Sequence, residues 1–124
     1  MSKTALILFA HGARDPEWAA PMLRVRAAVR AKAPNLRVEL AFLEFMSPGL
    51  SACAKALLAE DFQHLVVLPM FIAQGGHLKN DVPLLFEELR QQHPQAVFEL
   101  AGAIGEAETV VQAMAAHAVA LSAG

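Results

Sequence analysis

Four short apolar runs, TALILFA (4–10), RVELAF (37–42), HLVVLPMF (64–71) and AVFELAG (96–102), recur along the chain with a helix-patterned stretch after each. This alternation is the strongest constraint on the fold. Strands that alternate with helical segments pair in parallel, because each crossover must return the chain to the same end of the sheet. PEWAAPMLRVRAAVRAKA (16–33) sets Trp18, Met22, Val25 and Val29 at helical spacing, with Asp15 as N-cap and Pro16 at the first helical position. MSPGLSACAKALLAEDF predicts a helix capped by Ser47, opened by Pro48 and running to about Glu60. AQGGHLKN reads as a loop, and DVPLLFEELRQQH (81–93) as a helix with Asp81 as N-cap and Leu84, Leu85 and Leu89 on one face. GEAETVVQAMAAHAVALSA closes the order βαβαβαβα. The expectation is an α/β fold: one domain over 1–124, a small doubly wound parallel four-stranded sheet with helices on both faces.

Composition narrows the function classes. Hydrophobic residues are 56% of 124 and charged residues 18%, which suits a folded core rather than disorder. The net charge of -2 gives no basic field, so nucleic acid is not an expected partner. No apolar run reaches the ~20 residues of a membrane span. TALILFA is followed at once by charged HGARDPE, so it reads as a strand and not as a signal peptide. The one cysteine, Cys53, has no internal disulfide partner, and a lone thiol fits a cytoplasmic location.

Two histidines stand out. LILFAHGARDPEW (6–18) stops at His11, immediately past the first strand, and PMFIAQGGHLKNDVP (69–83) carries His77 on a glycine-bearing loop past the third. In an open parallel sheet, ligands bind beyond the carboxyl ends of the strands, where the strand order reverses. A flavodoxin-like 2-1-3 order makes strands one and three neighbours, about 4.8 Å apart. Two imidazoles rising from adjacent strand ends can then meet over one divalent cation, and Gly75 and Gly76 let the second loop approach. The competing reading for either residue alone is a hydrogen-bonded turn histidine. Two ligands are too few for a closed structural zinc site, so the pattern favours a site that holds metal loosely. His64, His93 and His117 read as structural or solvent-exposed, and Cys53 as a small buried residue.

HGARDPEW, VELAFLEFMSPGL, VVLPMFIAQGGHLKNDVP and GAIGE together resemble the small sirohydrochlorin chelatases, the short CbiX/SirB-like members of the class II chelatases, over almost the whole chain. The resemblance implies a lyase that inserts Co²⁺, or in relatives Fe²⁺ or Ni²⁺, into sirohydrochlorin for cobalamin or siroheme synthesis. It implies no organic cofactor and no nucleotide. The metal-binding histidines fall on His11 and His77, the first also taken as proton acceptor; Met46 and Ile72, Ala73, Gln74, Gly75 and Gly76 match positions lining the macrocycle pocket. Ala13 stands where relatives commonly have serine. Glu44 at the end of the second strand is a candidate carboxylate relay or ligand, with a solvated strand-end acid as the alternative. Arg14 and Lys79 are candidate contacts to the substrate's carboxylates, or ordinary surface charges. A flat macrocycle needs two walls, so the short form is expected to pair as a homodimer, with Phe42, Phe45, Met46, Met70 and Phe71 as candidate apolar surface or, for most, core.

Two rivals remain at this stage. A histidine phosphatase also places a histidine after strand one, but usually after an arginine, and Ala10 precedes His11 here. A non-catalytic metal- or tetrapyrrole-binding protein on the same fold would use the same residues as the chelatase.

Overall fold

Lys3–Ala10 form β1, whose residues from Ala5 onward are buried except for the half-buried Leu6. In the computed structural model, which describes residues 3–73 and 75–122 (76–78 by their backbone alone), β1 lies inside a four-stranded parallel sheet. β2 (Arg37–Phe42), β3 (Phe62–Pro69) and β4 (Val97–Leu100) complete the order β2-β1-β3-β4. β1 pairs with β2 from Ala5↔Arg37 to Ala10↔Phe42, and with β3 as far as Phe9↔Pro69. The expected adjacency of strands one and three is therefore observed. β3 starts two residues before the apolar run that announced it, because Phe62 still pairs with Lys3.

Helices α1 (Ala20–Lys32), α2 (Leu50–Ala59), α3 (Gly76–Gln92) and α4 (Glu108–Ser122) follow the four strands in turn. A 3-10 turn, Pro16–Ala19, precedes α1, and the Asp15 carboxylate accepts the Glu17 N–H at 3.0 Å, so the predicted cap serves that turn. Two helix starts differ from expectation. Ser47 does not cap α2: the chain bends through residues 43–48 and loops back, so that the Phe42 N–H donates to the Pro48 carbonyl at 2.9 Å and Phe42 bridges Gly49, which is the N-cap. Asp81 does not open α3. The helix begins at Gly76, and the Lys79 N–H to Gly75 carbonyl bond (3.0 Å) closes its first turn. Pro83 thus sits inside the helix at the loss of one hydrogen bond. Val82, Phe86 and Leu89, each 1% exposed, anchor α3 at helical spacing and outweigh that loss.

The two faces of the sheet are covered unequally. On one, Ile7, Phe9, Leu65 and Val67 pack under Leu57 of α2 and Phe86 of α3. On the other, Met22, Val25 and Val29 of α1 lie against Leu8, Val38 and Leu40 of β1 and β2. β3 therefore alternates, with Leu65 and Val67 buried while Val66 and Leu68 are half-buried. α4 has no buried residue. Among the described residues no helix is long and apolar enough to cross a membrane.

Arg37 ties the start of β2 to the end of α2 through a two-pronged pair with Glu60, at 2.9 and 3.0 Å. That pair holds the Glu60 carboxyl below its usual range and the guanidinium above its own. A carboxyl depressed in the folded state stabilises above its unfolded pKa and loses that contribution as pH falls. Glu60→Gln is expected to lower stability slightly near pH 7 and not at about pH 3, so urea-denaturation curves for the two proteins should converge on acidification. Phe86→Ala, which empties the centre of the larger core cluster, is expected to cost about 3–5 kcal/mol in the same measurement.

Candidate functional site

The carboxyl end of the sheet is built by backbone bonds that outlast the strands. Past β1 and β2, the Leu43 N–H donates to the Ala10 carbonyl at 2.9 Å and the Glu44 N–H to the His11 carbonyl at 3.1 Å. On the other side the Met70 N–H donates to the Phe9 carbonyl at 2.7 Å. His11 is thereby held between the segment after β2 and the segment after β3. Gly12 follows at φ +90°, and a Cβ there would lie 1.9 Å from the Glu44 carbonyl oxygen. The position excludes a side chain both by torsion and by space.

This close approach sets His11 beside Glu44. Nδ1 lies 3.7 Å from Oε1, with the two side chains 46% and 48% exposed. Nδ1 is also 3.4 Å from the Gly12 carbonyl, which accepts when that nitrogen carries the proton. The buried Phe71 meets the imidazole edge-on, ring centres 6.3 Å apart and planes at 70°, and packs in turn on Phe9 at 6.1 Å. An open half of the imidazole thus faces the rim over an aromatic floor.

The wall after β3 is fixed from the far side of the sheet. Gly105, in the 3-10 turn Ile104–Glu106 after β4, donates its N–H to the Phe71 carbonyl at 3.0 Å, and a Cβ there would lie 2.1 Å from the Ile72 carbonyl oxygen. Ile72, 69% exposed, and Ala73 and Gly75, also exposed, continue from this anchor to α3. The backbone of residue 77 lies in the first turn of α3, not in a loop. Gln74 and the side chain of His77 lie outside the described residues, and with them the expected meeting of the two imidazoles.

Of the other predicted positions, Lys79 is exposed on α3, and Arg14 lies over the Phe45 ring, 4.5 Å from guanidinium to centroid. Phe45 is 55% exposed and holds φ +68°, the left-handed region that a large side chain rarely adopts. No sequence signal marks that strain. Met46 is half-buried against the α1 side of the core. Phe42 and Phe71 are core residues, so among the five apolar candidates only Phe45 is freely exposed. Phe71 as the floor under His11 and Gly105 as the anchor of Ile72 also escaped the sequence reading, although GAIGE contains the latter.

The remaining titratable groups fall away from the rim. His64 is 3.6 Å from Glu99 on the open sheet face, His93 ends α3, and His117 is exposed on α4. Burial in α2 pushes the Cys53 thiol up to about 11, so it stays protonated and is a poor metal ligand at neutral pH. A groove of about 610 Å³ runs along β2 between Leu23 of α1 and Ala52 of α2; it touches the rim only through Phe42 and Met46–Pro48 and does not include His11. Among the described residues no three His, Cys, Asp or Glu side chains cluster as a closed metal site.

A parallel α/β sheet of order β2-β1-β3-β4, with His11 and Glu44 at the rim where neighbouring strands end, defines the class. Comparison with known proteins gives the particular family: the chain belongs to the CbiX family, whose model matches residues 5–120. The chain is 39% identical over 80 residues to a sirohydrochlorin cobaltochelatase of Saccharolobus islandicus, covering 64% of this chain and 61% of that protein. It is 32% identical over 91 residues to one of Methanocaldococcus jannaschii, covering 72% and 62%. The match thus spans about three fifths of these relatives' length. A CbiX protein from Marinobacter aquaeolei has the same fold, at a TM-score of 0.82 with 24% identity over 98% of this chain and 99% of the other. So does the sirohydrochlorin chelatase SirB from Bacillus subtilis in complex with cobalt, at 0.78 with 23% identity over 92% and 49%.

Gly12→Ala is expected to destabilise the fold by roughly 1–3 kcal/mol, because the residue must leave φ +90° and push Glu44 aside. Urea denaturation measures the loss, and an unchanged midpoint would contradict the close approach.

Proposed function

We propose that this chain is a sirohydrochlorin chelatase, a lyase that inserts Co²⁺ into the macrocycle without ATP or an organic cofactor. The reading rests on one observation: residues 11 and 77 follow the carboxyl ends of neighbouring parallel strands, and the rim between them is pinned by backbone bonds. Membership of the CbiX family and the similarity to cobaltochelatases support it. The solved relatives carry cobalt in one case and Fe³⁺ in another, which supports a transition-metal substrate and keeps Fe²⁺ and Ni²⁺ as further candidates. The pathway is then that of cobalamin or of siroheme.

Two inner N–H protons leave sirohydrochlorin as a divalent ion enters. Neutral imidazole is suited to hold a borderline ion and to accept a proton near neutral pH. His11 and His77 hold the incoming metal weakly enough to release it; as the ion passes to the ring, the freed His11 nitrogen takes one pyrrole proton and the second leaves to solvent water. Glu44, 3.7 Å from Nδ1, orients the imidazole and stabilises it once protonated. Ile72, Ala73, Gln74, Gly75 and Gly76 form one wall of the macrocycle site, with Met46 and Phe45 opposite. Arg14 and Lys79 face the substrate's carboxylates.

The whole is a single chelatase-like domain that offers one wall. A homodimer supplies the second, and the protein works in the cytoplasm. The alternative is a metal- or tetrapyrrole-binding protein that does not turn over.

Mixing purified protein with sirohydrochlorin and Co²⁺, and following absorbance against a protein-free control, separates the two. Catalysis converts many equivalents per chain, whereas binding stops at stoichiometry. His11→Ala and His77→Ala are each expected to slow insertion by about 10²-fold or more with an unchanged unfolding midpoint. Full activity in either variant removes that residue from the mechanism.

A further inference from the structure

β2 and β4 are the two edge strands of the sheet, so each has one row of backbone groups with no neighbouring strand. In a parallel ladder, alternate residues turn their N–H and C=O to the same side. The Leu43 N–H goes inward, to the Ala10 carbonyl, so Val38, Leu40 and Phe42 turn theirs outward. On β4 the Ala101 N–H goes inward, to the Val67 carbonyl, so Phe98 and Leu100 face out. An open row of this kind is a template on which another chain can pair.

An arginine closes both rows in the same way. Arg30, in the last turn of α1, donates from Nη2 to the Val38 carbonyl at 3.1 Å. Arg90, in the last turn of α3, donates from Nη2 to the Phe98 carbonyl at 3.0 Å. Each stands eight positions before the carbonyl that it caps. The turns that place them match bond for bond. The Ala33 N–H donates to the Val29 carbonyl and the Leu36 N–H to that of Ala33; in the second turn the His93 N–H donates to Leu89 and the Ala96 N–H to His93. Pro34 and Pro94 occupy the same place in the two turns. What remains of each edge is recessed or short. The Phe42 N–H is taken by the Pro48 carbonyl, Leu40 lines the groove between α1 and α2, and β4 has four residues.

We propose that Arg30 and Arg90 are a matched pair of edge caps that keep the sheet from taking a further strand from a second copy. A strand docking on either edge must displace the guanidinium, which breaks a charge-assisted bond and desolvates a cation. Arginine suits the task, because its stem spans the gap from helix to strand edge while its charge stays in water; the Arg30 side chain is 49% exposed. The Glu39 carboxylate, 3.3 Å from Arg30, is also held by Arg37 at 2.7 Å, so it keeps a partner without Arg30. The inference does not rest on the chelatase reading.

Static light scattering over time, on the full chain at a temperature where it is folded, tests the caps. Arg30→Met and Arg90→Met keep the apolar stem and remove the donors. Each is expected to gain mass about tenfold faster than the unaltered protein, and the double variant faster still, with an infrared band of intermolecular strand pairing. Each substitution moves the net charge from -2 to -3, away from zero, so the loss of charge does not itself favour association. Two controls are expected to hold the unaltered rate: Arg24→Met, which removes an exposed α1 arginine distant from either cap, and Leu57→Ala, which loosens the core and leaves both edges capped. If a methionine variant fails to fold, Arg→Gln at the same position, too short to reach the carbonyl, replaces it. The proposal is overturned if the cap variants keep the unaltered rate, or if Leu57→Ala associates as fast as they do. The second result would mean that association follows lost stability and not an opened edge.

Discussion

The structure depends on β1 being paired along both edges. With β2 on one side and β3 on the other, its residues 5 and 7–10 are buried and its backbone groups are spent on neighbours. Such a strand runs buried to its carboxyl end, and there the chain switches from alanine to histidine. The bonds from Leu43 and Glu44 on one side and Met70 on the other carry the order of the sheet past its formal end. His11 is thus fixed by main-chain bonds on both sides of it, with its imidazole half-exposed beside Glu44 and Phe71.

That economy explains why the rim needs few specialised residues. Gly12 brings the Glu44 backbone close, and the carboxylate follows to 3.7 Å from the imidazole. Phe71 supplies a floor because β3 runs beside β1. At the rim, backbone strain falls on Phe45, whose left-handed backbone presents an apolar ring under the Arg14 guanidinium. The contact is a cation–π one between an exposed guanidinium and an exposed ring.

Much of this was legible in the residues. The alternation of apolar runs gave the parallel sheet, and the 2-1-3 order put the turn after strand one beside that after strand three. Helix starts were read less well, for local reasons. Ser47 looks like a cap, but the chain loops back to pair Phe42 with Pro48, and the helix starts only past Gly49. Asp81 followed by Pro83 looks like a helix start, but buried Val82 and Phe86 let the helix run through the proline. The role of Gly105 could not be read at all. It acts on Ile72, more than thirty residues away in sequence, and such contacts leave no periodic trace.

The hold of Gly105 on Ile72 has a consequence for how such a domain changes with time. The placement of the segment after β3 is governed by a turn that follows β4. Lengthening or shortening the connection after β4 would move Ile72 while His11, Glu44 and the segment after β2 stay untouched. The two sides of the rim are therefore adjustable separately, on different strands of the same sheet.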